Sequence, residues 1–144
     1  MKKTITIDFD DTLYTKSFPV IAAYRLEFFK ELVNSGIFNV VLVTARKYAD
    51  CEEVQNFLNS HNIKINEIYC DCHSKLEVCR FLETFAHFDD SERICNELSE
   101  NGINCFYCGE FLSNQNKQVW KESLVISGEW HFYVNDDNTR GMEE

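Results

Sequence analysis

Two aspartates, Asp8 and Asp10, follow a stretch of alternating threonine and isoleucine at the start of the chain. Alternating β-branched residues favour a strand, and side chains two positions apart in a strand lie on the same face. Carboxylates that close repel each other, which raises the pKa of one of them unless a cation lies between them. The pair alone is equally consistent with an acidic turn at the end of a surface strand.

Further polar groups follow the other predicted strands. Thr44 ends an apolar run, Lys75 begins the helix after the third strand, and Asp89 and Asp90 follow the fourth strand. Each has an ordinary alternative explanation, such as a turn, a helix cap or a solvated lysine. In an open α/β sheet, however, the carboxyl ends of the strands form the ligand crevice. Their order therefore predicts one site with two carboxylate pairs, a hydroxyl and an ammonium.

These groups favour phosphoryl chemistry. Paired carboxylates bind a hard cation, and Mg²⁺ is the expected one. A phosphate held between this ion, the Lys75 ammonium and the Thr44 hydroxyl is placed for in-line attack by Asp8, which gives an aspartyl-phosphate. Asp10 would protonate the leaving oxygen and then activate the hydrolytic water.

The elements that must position these residues follow from the apolar pattern. The run at 37–43 has no polar alternation, which predicts a central parallel strand covered on both faces. Ser74, with Glu77 three residues later, and Ser91 are predicted helix N-caps, and Gly36 and Gly102 are predicted helix stops. We predict strands at 3–9, 37–43, 63–70, 85–88 and 103–108, and helices at 20–34, 49–60, 75–82 and between Ser91 and Asn101.

Strands that alternate with helices predict an α/β fold, a doubly wound, Rossmann-like parallel sheet of about five strands. The whole chain, 1–144, is predicted to be one domain with its core at 3–108. The C-terminal extension 109–144 is predicted to contain a hairpin at 124–134 that covers a sheet edge or packs beside the core.

Composition limits the partners. The chain has 24 acidic and 14 basic residues, a net charge of −10, which argues against a long nucleic acid or an anionic membrane. No apolar run is long enough to span a bilayer, and Met1-Lys2-Lys3 leads into a strand rather than a secretory segment, which predicts a cytoplasmic protein.

The chain contains seven cysteines. Several lie within apolar patterns, which predicts reduced and mostly buried thiols. The alternative is a structural zinc site. Its possible ligands are Cys70, Cys72, His73, Cys105 and Cys108.

Four segments follow one another in order within residues 3–108: Asp8-Phe9-Asp10-Asp11-Thr12, Val41-Leu42-Val43-Thr44, Lys75, and Phe88-Asp89-Asp90. Together they resemble the four motifs of the haloacid dehalogenase superfamily of phosphohydrolases. The sequence departs from the commonest pattern at Asp11, where glycine is frequent in that family.

The resemblance implies Asp8 as nucleophile, Asp10 as general acid and base, and Thr44 and Lys75 as phosphoryl binders. It also implies Mg²⁺ held by Asp8, the Asp10 backbone carbonyl, and Asp89 with or without Asp90. The implied sheet order is 5-4-1-2-3. Asp10 favours phosphate substrates, because members that cleave carbon–halogen bonds do not use this second aspartate.

Neither interval between the motifs has room for a cap domain, so the expected site is open unless residues 13–19, the extension or a second copy of the chain cover it. The expected substrates are small phosphate esters, nucleotides or phosphorylated macromolecule ends. Arg46 is a further candidate for phosphate binding, with a surface ion pair as its alternative. Tyr14, Lys16 and Tyr69 are expected near the rim. The alternative functions are a catalytically silent regulatory or binding domain and a phosphotransferase.

Overall fold

A computed structural model describes residues 2–14 and 19–108, with the side chains of the first helix described from Leu26 onward. The extension 109–144, its predicted hairpin and Lys16 lie outside the described residues. The elements are β1 (Thr4–Ile7), α1 (Pro19–Asn34), β2 (Asn39–Val43), a 3₁₀ turn (Tyr48–Asp50), α2 (Cys51–Ser60), β3 (Glu67–Tyr69), α3 (Lys75–Phe81), β4 (Ala86–Asp89), α4 (Glu92–Glu100) and β5 (Asn104–Tyr107).

The five strands form one parallel sheet in the order β3-β2-β1-β4-β5. This is the implied order 5-4-1-2-3 read from the other edge, and it confirms the doubly wound α/β fold. Because all strands run the same way, the carboxyl ends of β1, β2 and β4 lie along one edge of the sheet.

Both faces of the sheet are covered, as the apolar run of β2 predicts. Val40 and Leu42 face a core built with the side chains of α1 and α2, and Val41 and Val43 face a smaller cluster against α3. The larger core includes Ile5, Ile7, Phe28, Phe29, Leu32, Val54, Leu58 and Phe88. Burial of each such side chain contributes about 1.5–3 kcal/mol, which keeps the strand ends in a fixed arrangement.

Four of the five strands are shorter than predicted, most clearly β3, while β4 has the predicted length and is shifted by one residue. The prediction began this strand at 63, but the strand begins at Glu67. Ile63 instead completes the end of α2, because its amide donates to the Leu58 carbonyl at 2.9 Å and its side chain is buried in the core. Ile63 packs over the end of α2, and in the sequence its apolar side chain was interpreted as the first residue of a strand.

The cysteines differ in part from the expectation. Cys51 and Cys70 form a disulfide, so the prediction of uniformly reduced thiols is wrong at these two positions. The fold brings the start of α2 beside the end of β3, a proximity that no local pattern predicts. Cys72, Cys79, Cys95, Cys105 and Cys108 are free thiols.

The zinc alternative gains no support from the described part of the chain. There, no group of three or more possible metal ligands includes a cysteine or a histidine. Two of the proposed ligands also have other partners, since Cys70 is in the disulfide and the Cys105 sulfur lies 2.8 Å from that of Cys95.

Among residues 2–14 and 19–108, no helix is both long and apolar enough to cross a membrane.

Candidate functional site

Three carboxylates meet at the carboxyl ends of β1 and β4. These strands are neighbours, and the amide of Asp8 donates to the Phe88 carbonyl at 2.9 Å. One carboxylate oxygen from each of Asp8, Asp89 and Asp90 lies within 4.8 Å of the others. In residues 2–14 and 19–108 this is the only group of three or more side chains arranged to hold a metal ion.

The Lys75 ammonium lies between two of these acids. Its Nζ donates to Asp8 Oδ1 at 2.5 Å and to Asp89 Oδ2 at 2.9 Å, and only 9% of its side chain is exposed. Burial would lower the pKa of Lys75, but the charges of Asp8 and Asp89 outweigh burial and raise it. The lysine therefore stays protonated and offsets part of the negative charge.

Lys75 is held in place by the start of α3. The Ser74 side chain accepts a hydrogen bond from the Glu77 amide at 3.2 Å, which confirms the predicted N-cap. Further along the helix, Val78 and Leu82 pack against the cluster of Val41 and Val43 on the sheet. The cap and this packing fix where the first helical residue stands.

Asp8 is buried, and both of its carboxylate oxygens are hydrogen-bonded. Oδ1 accepts from Lys75, and Oδ2 accepts from the Thr12 hydroxyl at 3.0 Å. Burial raises the pKa of Asp8 to about 7, because the opposing charge of Lys75 only partly compensates for it and the charge of Asp89 adds to it. The side chain therefore has a fixed orientation in a site with excess negative charge.

Asp89 is the most strongly held of the acids. Oδ2 accepts from Lys75 and from His87 Nε2, the latter at 2.8 Å, and Oδ1 accepts from the Ser91 amide at 3.0 Å. Burial would raise the pKa of Asp89, but the hydrogen bond from His87 and the charge of Lys75 outweigh burial and lower it. For Asp90, burial raises the pKa, although a hydrogen bond with Asp8 opposes the shift.

Three residues that the sequence did not single out for the site, His87, Thr12 and Thr6, complete the hydrogen bonding around the acids. His87 is fully buried and its Nδ1 lies 2.7 Å from the Thr6 hydroxyl oxygen. Burial would lower the pKa of His87, but the hydrogen bond to Asp89 raises it to about 9. Strand periodicity was the available signal, because His87 is two residues before Asp89 and hence on its face of β4.

Asp10 lies outside the cluster of three acids. β1 ends at Ile7, so the strand alternation that would place Asp10 beside Asp8 does not continue that far. Asp10 Oδ1 and Oδ2 instead accept from Arg46 Nη2 at 2.8 Å and Nε at 3.0 Å. Arg46 also donates from Nη1 to Glu53 at 3.3 Å, so its guanidinium is bound by carboxylates of the chain itself.

Thr44 and Arg46 belong to the loop after β2, which is joined to the loop after β3. The buried Thr44 hydroxyl accepts from the Arg46 amide at 3.1 Å. The amides of Asp71 and Cys72 donate to the carbonyls of Arg46 and Thr44 at 2.6 and 3.0 Å. Both loops are therefore held along the edge of the sheet where the acids meet.

Asp11 has a left-handed backbone, with φ of +63°. Its amide donates to the Tyr14 carbonyl at 2.6 Å, and this closes a tight loop after β1. Glycine adopts this conformation without steric cost, and aspartate is among the residues that tolerate it best. Asp11, which stands where glycine is frequent in the resembled motif, thus lies at a turn that requires a positive φ.

A cleft of about 310 Å³ lies beside the pair of Asp10 and Arg46. It is lined by Phe9, Tyr14, Arg46, Glu53 and Phe57. Tyr14, expected near the rim, thus lines this cleft.

No family model and no curated protein matches the sequence. Among solved structures, the chain resembles one described as "Structure of Pnkp1/Rnl/Hen1 complex", with a TM-score of 0.56 and 17% sequence identity. The match covers 74% of this chain and 46% of that chain, so the present chain spans less than half of its length. At this identity the resemblance shows a shared fold.

Proposed function

We propose that this protein is a Mg²⁺-dependent phosphomonoesterase of the haloacid dehalogenase type, acting through an aspartyl-phosphate on Asp8. One observation carries the proposal: carboxylate oxygens of Asp8, Asp89 and Asp90 lie within 4.8 Å of one another, and the buried ammonium of Lys75 pairs with Asp8 and Asp89. Structural ion pairs match acids with bases, whereas this group holds three acids to two bases, Lys75 and His87. A bound cation would balance the excess negative charge of the three acids. A bound phosphate would accept hydrogen bonds from the donors that remain, on Lys75 and Thr44.

The donor set fits Mg²⁺. Carboxylate oxygens are its preferred protein ligands, and one or two carboxylates with water and substrate oxygens complete its coordination. Asp8, Asp89 and Asp90 would hold the ion, together with the Asp10 backbone carbonyl that the family resemblance implies. When bound, the ion supplies positive charge that offsets the repulsion between the Asp8 carboxylate and a phosphate.

Asp8 is the group best placed to attack phosphorus. Lys75 and Thr12 hold its two oxygens, which limits its rotation before the reaction. In the first step Asp8 forms a bond to phosphorus, and the phosphorus–oxygen ester bond breaks on the opposite side. Lys75 and the Thr44 hydroxyl would hold the transferring phosphoryl group.

Asp10 would act on the leaving group. Both Asp10 oxygens accept from Arg46, so Asp10 must first take up a proton from solvent, which it then gives to the departing oxygen. In the second step it accepts a proton from the water that attacks the aspartyl-phosphate. That second attack releases inorganic phosphate and restores the Asp8 carboxylate. Arg46 holds Asp10 through two hydrogen bonds, so we assign it the positioning of Asp10 rather than phosphate binding.

The substrate is a phosphomonoester that can enter an open site. Between Asp10 and Thr44 the described residues form only loops, α1 and β2, which supports a site without a cap domain. Small esters, nucleotides and phosphorylated macromolecule ends all remain compatible, while the net charge of −10 argues against long nucleic acids. A second copy of the chain covering the site would restrict access further.

The experiment is hydrolysis of p-nitrophenyl phosphate by the purified protein, with Mg²⁺ or with EDTA. We expect Mg²⁺-dependent release of nitrophenol, and a loss of at least about a thousandfold in Asp8→Asn, because an amide cannot act as the nucleophile. Asp50→Asn is the matched control. Asp50 precedes α2 without a side-chain capping bond and lies outside the acidic cluster.

Retention of activity in Asp8→Asn would exclude the aspartyl-phosphate. A folded wild-type protein inactive with Mg²⁺ on nitrophenyl, alkyl and nucleoside phosphates alike would instead favour a silent binding domain. Transfer of the phosphoryl group to an added alcohol in preference to water would reassign the protein as a phosphotransferase.

A further inference from the structure

The cleft is lined by Arg46, which binds Asp10, the residue that must protonate the leaving group of the proposed reaction. In an in-line displacement the leaving oxygen is on the side of phosphorus opposite the nucleophile. Asp10 must reach that oxygen to protonate it, and Arg46, which binds Asp10, also lines the cleft. The remainder of the leaving group would therefore extend past Asp10 towards the cleft.

The floor of the cleft is aromatic. The rings of Phe9 and Tyr14 are nearly parallel, with centroids 5.6 Å apart, and Phe57 meets each of them edge-on at 5.4 Å. Tyr14 and Phe57 are only partly buried, so part of their surface faces the cleft. Such rings attract other aromatic groups more strongly than they attract saturated groups of the same size.

The rim of the cleft is charged. The guanidinium carbon of Arg46 lies 5.1 Å from the centroid of Phe9 and 6.0 Å from that of Tyr14. Glu53, with 72% of its side chain exposed, pairs with Arg46 at the opening. The cleft therefore combines an aromatic floor with a cation and an anion that can meet polar groups on a flat ligand.

We propose that this cleft binds an aromatic ring in the leaving group of the substrate, so that the preferred phosphomonoesters are those of aromatic alcohols or of alcohols that carry an aromatic ring. The inference rests on the proposed function. A second cavity, lined by Lys2, Lys3, Thr4, Leu82, Glu83 and Phe85, does not fit this role. It lies at the start of β1, the end of the sheet opposite Asp8.

The test compares benzyl phosphate with cyclohexylmethyl phosphate. Both release a primary alcohol of similar acidity, so a difference in kcat/KM reports the ring rather than the reactivity of the ester. We expect a 2- to 10-fold preference for benzyl phosphate, about the range of one aromatic contact. Phe57→Leu, which keeps an apolar side chain but removes the ring, should bring the ratio towards one.

Phe81→Leu is the matched control. Phe81 is 78% exposed and does not line the cleft, so this variant should keep the wild-type ratio. Glycerol phosphate separates the two proposals. If the wild type hydrolyses it with Mg²⁺ but shows no preference for benzyl phosphate, the cleft assignment is wrong while the phosphatase stands.

Binding provides a readout that does not need turnover. Benzylphosphonate and cyclohexylmethylphosphonate have a carbon–phosphorus bond that a phosphatase of this type does not cleave, and calorimetry can compare their Kd values. We expect benzylphosphonate to bind the wild type 2- to 10-fold more tightly than cyclohexylmethylphosphonate does. In Phe57→Leu the two Kd values should lie closer together. Equal Kd values in the wild type would overturn the inference even if no ester is hydrolysed.

Discussion

At the level of single residues, position along the chain predicts which side chains meet, but not how they pair. Lys75 and the acids Asp8, Asp89 and Asp90 were predicted to meet from the order of strands and helices. The pairing of Asp10 with Arg46 depends on a loop that leaves the strand after Ile7 and turns through a left-handed residue at Asp11. Side-chain patterns carry little information about such backbone angles, so the direction of Asp10 could not be predicted.

The pairing of Arg46 with Asp10 leads to a prediction about leaving groups. Arg46→Ala removes both hydrogen bonds that orient Asp10, so proton transfer to the departing oxygen should slow. An alkyl oxygen needs that proton, whereas nitrophenolate departs without it. We expect kcat/KM for glycerol phosphate to fall about 10- to 100-fold. The factor by which kcat/KM falls for p-nitrophenyl phosphate should be smaller by at least about fivefold.

The pattern of losses distinguishes positioning from phosphate binding. If Arg46 bound the phosphate itself, Arg46→Ala would lower kcat/KM by the same factor for both esters, and KM would rise for each. Asp10→Asn should show the same dependence on the leaving group as Arg46→Ala. Lys47→Ala is the matched control for the loss of a neighbouring positive charge, since Lys47 is exposed and should leave both esters unaffected.

At the level of elements, the helix starts capped by serine were predicted, whereas the start of α2 was predicted two residues too early and the end of α3 one residue too late. Ser74 and Ser91 cap α3 and α4 as their sequence signals predict. A left-handed residue lies two positions after the last residue of α2, α3 and α4, with φ of +59° at Asn62, +54° at Glu83 and +81° at Gly102. Glutamate at such a position gives no sequence signal, so the end of α3 could only be placed approximately.

The end of α3 leads to a prediction about stability. The amides of Glu83 and Thr84 donate to the carbonyls of Arg80 and Cys79, the two hydrogen bonds of a Schellman motif. A left-handed glutamate costs about 1–2 kcal/mol relative to glycine in the folded state, partly offset by the greater freedom of glycine when unfolded. We expect Glu83→Gly to raise the free energy of unfolding by about 0.5–1 kcal/mol in urea titrations.

Glu100→Gly is the matched control, because the same substitution at the last residue of α4 replaces a helical residue. It should lower the free energy of unfolding by up to about 1 kcal/mol. Opposite signs for the two variants would show that the backbone conformation, rather than the lost carboxylate, determines the result. A destabilised Glu83→Gly protein would contradict the interpretation of this helix end.

At the level of the whole molecule, the sheet order explains why distant residues form one site. Placing β4 beside β1 brings Asp89 and Asp90 next to Asp8 although α1, α2 and α3 separate them along the chain. Alternation of strands and helices predicted the parallel sheet, and the family resemblance supplied its order. The disulfide between Cys51 and Cys70 could not be predicted, because it depends on how α2 and β3 pack in the complete fold.

The net charge of −10 complicates a test of Mg²⁺ binding, because any cation can screen acidic groups over the whole surface. A specific site must therefore be distinguished from screening. An ion that binds the folded protein alone adds about 1.4 kcal/mol to its stability at ten times its Kd. For a chain of this size we expect Tm to rise by roughly 3–8 °C, whereas NaCl at the same ionic strength should produce a smaller shift.

Asp90→Asn tests whether that shift comes from the acidic cluster. The variant keeps the shape of a side chain that is less buried than Asp8 or Asp89, but it removes one of the three carboxylates that can hold the ion. We expect it to lose most of the Mg²⁺-dependent rise in Tm, measured by calorimetry with and without EDTA. Glu97→Gln removes an exposed carboxylate from α4 and should keep the rise. If both variants respond as the wild type does, the ion acts by screening the surface, and the acids at the ends of β1 and β4 do not form a magnesium site.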